Sequence, residues 1–177
     1  MRITLVIYSM EGGGAERVLS IMANHWVEQG DDVSLITFDD GSKTFYPLSS
    51  LVKRLPLDIT RPSQSLLEGI TNNVGRLTRL RQALKASKPD CIISFLYTTN
   101  IMVLLASGGL SYPVIVSERN DPRHRKENRS VWYALRRLTY PWANHLVVQN
   151  QDIQDWFQKY NTSLSIIPNP IQVPEES

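Results

Sequence analysis

Apolar residues along this chain fall into short unbroken runs that alternate with stretches of three- and four-residue spacing, the rhythms of buried strands and of helices packed on one side. Leu5-Val6-Ile7 opens the series as a strand. After Gly12-Gly13-Gly14, residues Val18, Leu19, Met22, Ala23, Trp26 and Val27 recur at helical spacing, and Gly30 is placed to cap the helix. Val33 to Phe38 reads as a second strand and Asp39-Asp40-Gly41-Ser42 as a turn. Strand, helix and strand in so short a span predict parallel pairing with a right-handed crossover.

From Lys43 to Ser65 the pattern loosens around Pro47, Pro56 and Pro62, and only Val52 to Leu57 reads as a strand. Ser65 to Lys88 is a helix with Leu66, Ile70, Val74, Leu77, Leu80 and Leu84 inward. Cys91 to Phe95 is a strand without alternation, Asn100 to Ser107 a helix stopped by Gly108-Gly109, and Val114 to Ser117 a further strand. Glu118 to Asn128 is a polar loop, and Ser130 to Tyr140 a helix with Val131, Leu135 and Leu138 on one side. His145 to Gln149, Gln151 to Tyr160 and Ser163 to Ile167 read as strand, helix and last strand. The alternation predicts an α/β fold: a Rossmann-like, doubly wound, mostly parallel sheet with helices on both faces. Ligands of such sheets sit outside the carboxyl ends of the strands, near a switch in strand order. Gly12 to Gly14, Asp39-Asp40, Tyr97 to Asn100, Glu118 to Asp121 and Gln149-Asn150 fall at that edge.

Length adds one domain to this picture, since 177 residues bury an adequate core without staples. The single cysteine, Cys91, lies in an apolar run without a companion His or Cys and reads as a small buried hydrophobe, consistent with a reducing, cytoplasmic setting. Met1-Arg2-Ile3-Thr4 leads straight into a strand with no signal-peptide pattern. The longest apolar run, Cys91 to Ala106, is interrupted by Tyr97-Thr98-Thr99-Asn100 and is too short for a bilayer, which takes about 20 residues. A net charge of +2 argues neither for nor against nucleic acid. His25, His124 and His145 have no metal-ligand spacing and read as surface or packing residues.

The glycine turn brings in chemistry. Glycines let a ligand approach main-chain N–H groups, and the following helix adds its positive dipole end, so the turn outlines an anion site as well as a tight bend. The dinucleotide pattern G-x-G-x-x-G fails because Arg17 stands where the third glycine belongs, and no G-K-[ST] follows. A dinucleotide domain using Asp39 or Asp40 for a ribose stays open as an alternative, as does a non-catalytic binding module.

Glu11-Gly12-Gly13-Gly14-Ala15-Glu16-Arg17, with Gly30-Asp31-Asp32-Val33 to Thr37, Val116-Ser117-Glu118-Arg119-Asn120-Asp121-Pro122 and Ile167-Pro168-Asn169-Pro170-Ile171, spreads over almost the whole chain. Together these segments resemble the amino-terminal half of retaining glycosyltransferases with two facing Rossmann-like domains, the GT-B architecture, in their family-4-like group. The resemblance implies transfer of a sugar from a nucleotide-sugar donor to a hydroxyl of a glycan or lipid-linked acceptor. It implies that residues 1–170 form the acceptor-side domain, that 171–177 begin an interdomain linker, and that a second domain, absent here, holds most of the donor. The isolated domain is then inactive, and no cofactor or metal is expected beyond the nucleotide-sugar co-substrate.

By the same resemblance Gly12, Gly13 and Gly14 face the donor diphosphate, and Glu118, Arg119 and Asp121 are the catalytic candidates. Glu16, Tyr97, Asn100 and Asn120 are the candidate acceptor contacts. Many relatives carry a histidine after the strand that ends here in Ser117, where this chain has Glu118-Arg119. Arg119 suits phosphate or an acceptor, and Glu118 or Asp121 a hydroxyl proton.

Arg123, Arg125, Lys126, Arg129, Arg136 and Arg137 are interleaved with Trp132, Tyr133, Tyr140 and Trp142. Basic and aromatic residues together suit a lipid-headgroup interface and a peripheral position at the inner face of a membrane, or a solvated helix face. A nucleic-acid partner is not expected.

Overall fold

The computed structural model describes residues 1–60, 66–120, 131–160 and 163–170, with backbone alone for 66–72. Its strands are β1 (Arg2–Ile7), β2 (Asp32–Thr37), β3 (Lys53–Pro56), β4 (Cys91–Phe95), β5 (Val114–Ser117), β6 (His145–Val148) and β7 (Leu164–Ile166). Its helices are α1 (Gly14–Glu28), α2 (Leu66–Ser87), α3 (Tyr97–Ser107), α4 (Val131–Thr139) and α5 (Gln151–Phe157), with a 3-10 turn at Tyr140–Trp142. The strands form one sheet in the order β3-β2-β1-β4-β5-β6-β7, and every pairing is parallel. The doubly wound Rossmann-like expectation therefore holds, and the order reverses between β1 and β4. Their carboxyl ends frame the crevice where such folds take ligands.

Alternation along the strands divides the core in two. Ile3, Leu5 and Ile7 of β1 pack with Val33 and Leu35 of β2 under Ala15, Val18, Leu19, Ala23 and Val27 of α1. Val6 and Ile36 turn to the other face, which holds Leu80 and Leu84 of α2, Ile101 and Leu104 of α3, Tyr140, and Ile153 and Phe157 of α5. Helix α1 closes as its spacing predicts: Gly30 takes φ 86°, its N–H donates to Val27 O, and the Asp31 N–H donates to Trp26 O.

Two helices differ from the reading of their spacing. Val74 of α2 is 59% exposed, because this helix meets the sheet through Leu77, Leu80, Ala83 and Leu84, a turn further on; the side chains of Leu66 and Ile70 lie outside the described residues. Of Val131, Leu135 and Leu138 on α4, only Leu135 packs inward, and the other two are exposed. The buried side of that segment carries Arg136, Thr139 and Tyr140 instead. Helix α3 begins at Tyr97, three residues before the expected start. Among the described residues no helix is long and apolar enough to cross a membrane.

Candidate functional site

The glycine turn leaves the carboxyl end of β1 at the switch in strand order. Gly12 needs to be glycine for conformational reasons: its φ is 122°, and an added Cβ would lie 3.2 Å from Phe45 Cγ. Gly13 is in extended backbone, and the Glu16 carboxylate occupies the space its Cβ would need. Gly14, the first residue of α1, has open space where a side chain would start. So the bend requires one glycine of the three, and the other two keep the helix N-terminus uncovered apart from the flexible Glu16. The N-cap residue, Gly13, has no side chain to cap that N-terminus, and Glu16 sets a carboxylate in its first turn.

Asp39 and Asp40 cap their own turn. Asp39 accepts from the Gly41 N–H at 3.2 Å and Asp40 from the Ser42 N–H at 2.9 Å, a bond that with others holds the exposed Asp40 carboxyl below its ordinary pKa. They present turn geometry, not a ribose grip, and with Arg17 in the third glycine position they leave the dinucleotide reading without support.

At the carboxyl end of β5, strand alternation sends consecutive side chains to opposite faces. Arg119 lies on the α1 face, its guanidinium 5.0 Å from the centre of the Phe95 ring, and donates through Nη1 to Asn169 Oδ1 at 2.8 Å. Gln149 donates to the same oxygen at 3.0 Å. The Arg119 Nε is buried and makes no hydrogen bond among the described residues, and burial lowers the guanidinium below its ordinary value, still cationic at any working pH. Glu118 lies on the other face, 2% exposed; it accepts from the Tyr140 hydroxyl and sits 3.4 Å from Arg136 Nε.

Behind this edge Asn100 is fully buried. Its Oδ1 accepts from Ser94 Oγ at 2.8 Å, and its Nδ2 donates to Ser117 O at 3.1 Å and to Tyr140 Oη at 3.3 Å. Expected as an acceptor contact, it instead lies beneath the edge with both polar atoms engaged inside the chain. Tyr97 is partly buried, with Arg136 over its ring at 4.9 Å and Trp132 edge-on at 6.1 Å. Asn120 is half-buried at the same edge. Asp121 lies outside the described residues.

The basic and aromatic region divides. Arg136 is no lipid-facing charge: its side chain is 11% exposed and is enclosed by Tyr97, Tyr140, Trp156 and Phe157. Trp132, Tyr133, Arg137 and Trp142 are exposed, and Arg123, Arg125, Lys126 and Arg129 lie outside the described residues. Sequence reasoning placed Gln149 at this edge and Asn169 in a recognised segment without giving either a role. Tyr140 stood out only as one of the aromatics among the basic residues, and Phe95 only as part of an apolar run.

Residues 12–173 match the profile of glycosyltransferase family 4. The chain belongs to that family. It is 34% identical over 176 residues to GalNAc-alpha-(1->4)-GalNAc-alpha-(1->3)-diNAcBac-PP-undecaprenol alpha-1,4-N-acetyl-D-galactosaminyltransferase of Campylobacter jejuni, covering 99% of this chain and 48% of that protein. Among solved structures, sucrose-phosphate synthase from Thermosynechococcus elongatus superposes with a TM-score of 0.73 at 9% identity, over 94% of this chain and 47% of that one. The apo lipopolysaccharide outer core galactosyltransferase WaaB gives 0.71 at 16% identity, over 99% and 47%. This family-4 chain thus spans about half the length of the proteins it matches, and its fold is the Rossmann-like half of a GT-B architecture, as the sequence motifs imply. The glycine turn and the strand-end Glu118-Arg119 both lie within the matched residues.

Proposed function

We propose that this chain is the acceptor-side domain, residues 1–170, of a retaining glycosyltransferase whose donor is a nucleotide sugar and whose acceptor is a hydroxyl of a glycan or lipid-linked glycan. The observation that carries the reading is the pairing, at one sheet edge, of a helix N-terminus with open space at Gly14 and a half-buried cation, Arg119, held over Phe95. Both attract anionic oxygen, and a departing diphosphate supplies it. Family membership and the lipid-linked substrate in the Campylobacter relative's name support the same reading.

In this reading Gly12 to Gly14 face the donor diphosphate, Arg119 balances charge that grows as the sugar–phosphate bond breaks, and Asp121 is the candidate acceptor of the hydroxyl proton. Glu16, Tyr97 and Asn120 border the acceptor. Positioning and electrostatics carry the reaction without a metal or cofactor in this domain. Residues 171–177 lead to a second domain that grips base and ribose, so the isolated chain transfers no sugar and binds nucleotide sugars weakly. The exposed Trp132, Tyr133, Arg137 and Trp142 suit peripheral contact with the inner face of a membrane carrying the acceptor; no nucleic-acid partner enters the reading.

The test is transfer by the full-length protein from nucleotide sugars to lipid-linked glycans in the presence of chelator, with product configuration read by NMR. Transfer with an inverted anomeric centre refutes retention. Low-micromolar binding of a sugar nucleotide to the isolated chain refutes the division between domains.

A further inference from the structure

Glu118 follows β5 directly, and its amide still belongs to the sheet, donating to Val147 O at 2.9 Å. A carboxylate so far out of water is tolerated only among a cation and hydrogen-bond donors. Among the described residues one short segment supplies both: Arg136 of α4 and Tyr140 of the 3-10 turn after it. From Tyr140 the network runs inward to Asn100, which also grips the Ser117 carbonyl and is itself held by Ser94. The carbonyl of Ser117, the amide of Glu118 and the carboxylate of Glu118 are therefore all fixed, and these groups lead to Arg119. Because the pleat sends Glu118 and Arg119 to opposite faces, anchoring the first aims the second.

We propose that Glu118 is a positioning residue, not the proton acceptor, and that Arg136, by pairing with it in the interior, is a further residue of the site that holds Arg119 over Phe95 at the cleft. The inference deepens the proposed transferase reading and rests on it for its kinetic part. Burial first, then the Glu118 carboxyl, push the Tyr140 phenol well above its ordinary value, so it remains a donor through the neutral range. Burial pulls the Arg136 guanidinium down, but Glu118 and the neighbouring phenols outweigh it and leave it raised. Among the described residues the Glu118 and Arg136 charges face each other in the interior, and removing one leaves the other without that partner.

The experiment is a double-mutant cycle on the full-length protein with Glu118→Gln, Arg136→Met and both together. In the first variant the new amide oxygen still accepts from Tyr140, and in the second the thioether still fills the aromatic cage, so the double variant removes both charges of the Glu118–Arg136 pair together. Arg136→Met alone should lower turnover about a hundredfold, the scale of losing one preorganised donor. The double variant should recover to within about threefold of the parent, with an unshifted pH profile. Amide exchange at Glu118 and Arg119 should quicken in Arg136→Met and return in the double variant. If Glu118 is the proton acceptor, Glu118→Gln abolishes turnover alone, the double variant is no better, and the inference falls. It falls too if Arg136→Met lowers only the melting temperature while turnover and exchange at these amides are unchanged. Should Arg136→Met not fold, Arg136→Gln, equally uncharged, serves with the same exchange and kinetic criteria. A parent protein that transfers no sugar refutes the transferase reading, while the exchange cycle still decides the positioning role.

Discussion

Arg119 Nη1 donates to Asn169 Oδ1 at 2.8 Å and so ties the end of β5 to the segment after β7, across three adjacent strands of the sheet. Gln149, after β6, reaches the same oxygen. One acceptor thus collects donors from two strand ends, and the Arg119 guanidinium is held on Phe95 with its Nε unused. A planar fork fixed in this way is preorganised for an anionic oxygen.

Replacing Arg119 by alanine should cut turnover of the full-length enzyme about a hundredfold while the protein stays folded. Lysine restores the charge without the fork and should recover only part of the loss. If the charge met by Arg119 grows only in the transition state, kcat falls with little change in acceptor KM; if Arg119 holds the acceptor, KM rises instead. Steady-state kinetics with circular dichroism separates these, and near-normal kcat and KM in the alanine variant would return Arg119 to the role of a strand-end tether.

The three glycines should separate stability from function. Gly12→Ala forces a side chain into positive φ against Phe45 and should cost about 1–2 kcal/mol in urea unfolding. Gly14→Ala meets open space at the first helical position and should leave stability within about 0.5 kcal/mol. Turnover should reverse the order of concern: Gly14→Val should lower it more than it lowers stability, since the side chain would stand where the diphosphate approaches. Equal turnover at matched melting temperature would reduce Gly14 to a helix start.

Cys91, expected as a buried small hydrophobe, is only half-buried at the start of β4. Burial pushes its thiol above the ordinary value, so the native state holds the proton longer than the unfolded chain does. Stability contributed through this group is therefore present at neutral pH and is lost as pH rises past the unfolded thiol's pKa. Alkylation by iodoacetamide at a mildly alkaline pH should be slow in buffer and fast in urea; equal rates would place Cys91 in solvent.

The sheet was legible because its strands are unbroken apolar runs and its helices carry a strong period, as in α1, where Val18, Leu19, Ala23 and Val27 all face inward. Helix α4 was not legible in the same way. Its buried side holds a cation, Arg136, whose cost is met by Glu118, well before it in the chain, and by four aromatic rings, and no local pattern announces so distant a partner. The edge residues were found because topology puts strand ends together. Asn100 reads from the sequence as a ligand contact because it is polar and near a strand end, and in the fold it is buried and bonded to Ser94, Ser117 and Tyr140.

Leu96 offers the most local test of stored strain. It joins β4 to α3 at the switch in strand order, with φ 73° and ψ 141°, a region that side chains other than glycine rarely occupy. The surroundings hold it there: its N–H donates to Ser117 O, its carbonyl accepts from the Asn100 N–H, and its side chain packs against the α1-side core. Strain of this kind costs about 1–3 kcal/mol. Leu96→Ala gives up the packing and keeps the strain, whereas Leu96→Gly gives up slightly more packing and releases the strain. Glycine should therefore be the more stable of the two variants by about 1 kcal/mol, the reverse of the usual order at a helix end flanked by strand. Urea unfolding of both variants reads the difference directly. Alanine equal to or above glycine would show that Leu96 relaxes to an ordinary conformation in solution. Tyr97 would then start α3 from a different direction, and its ring would not lie against Arg136.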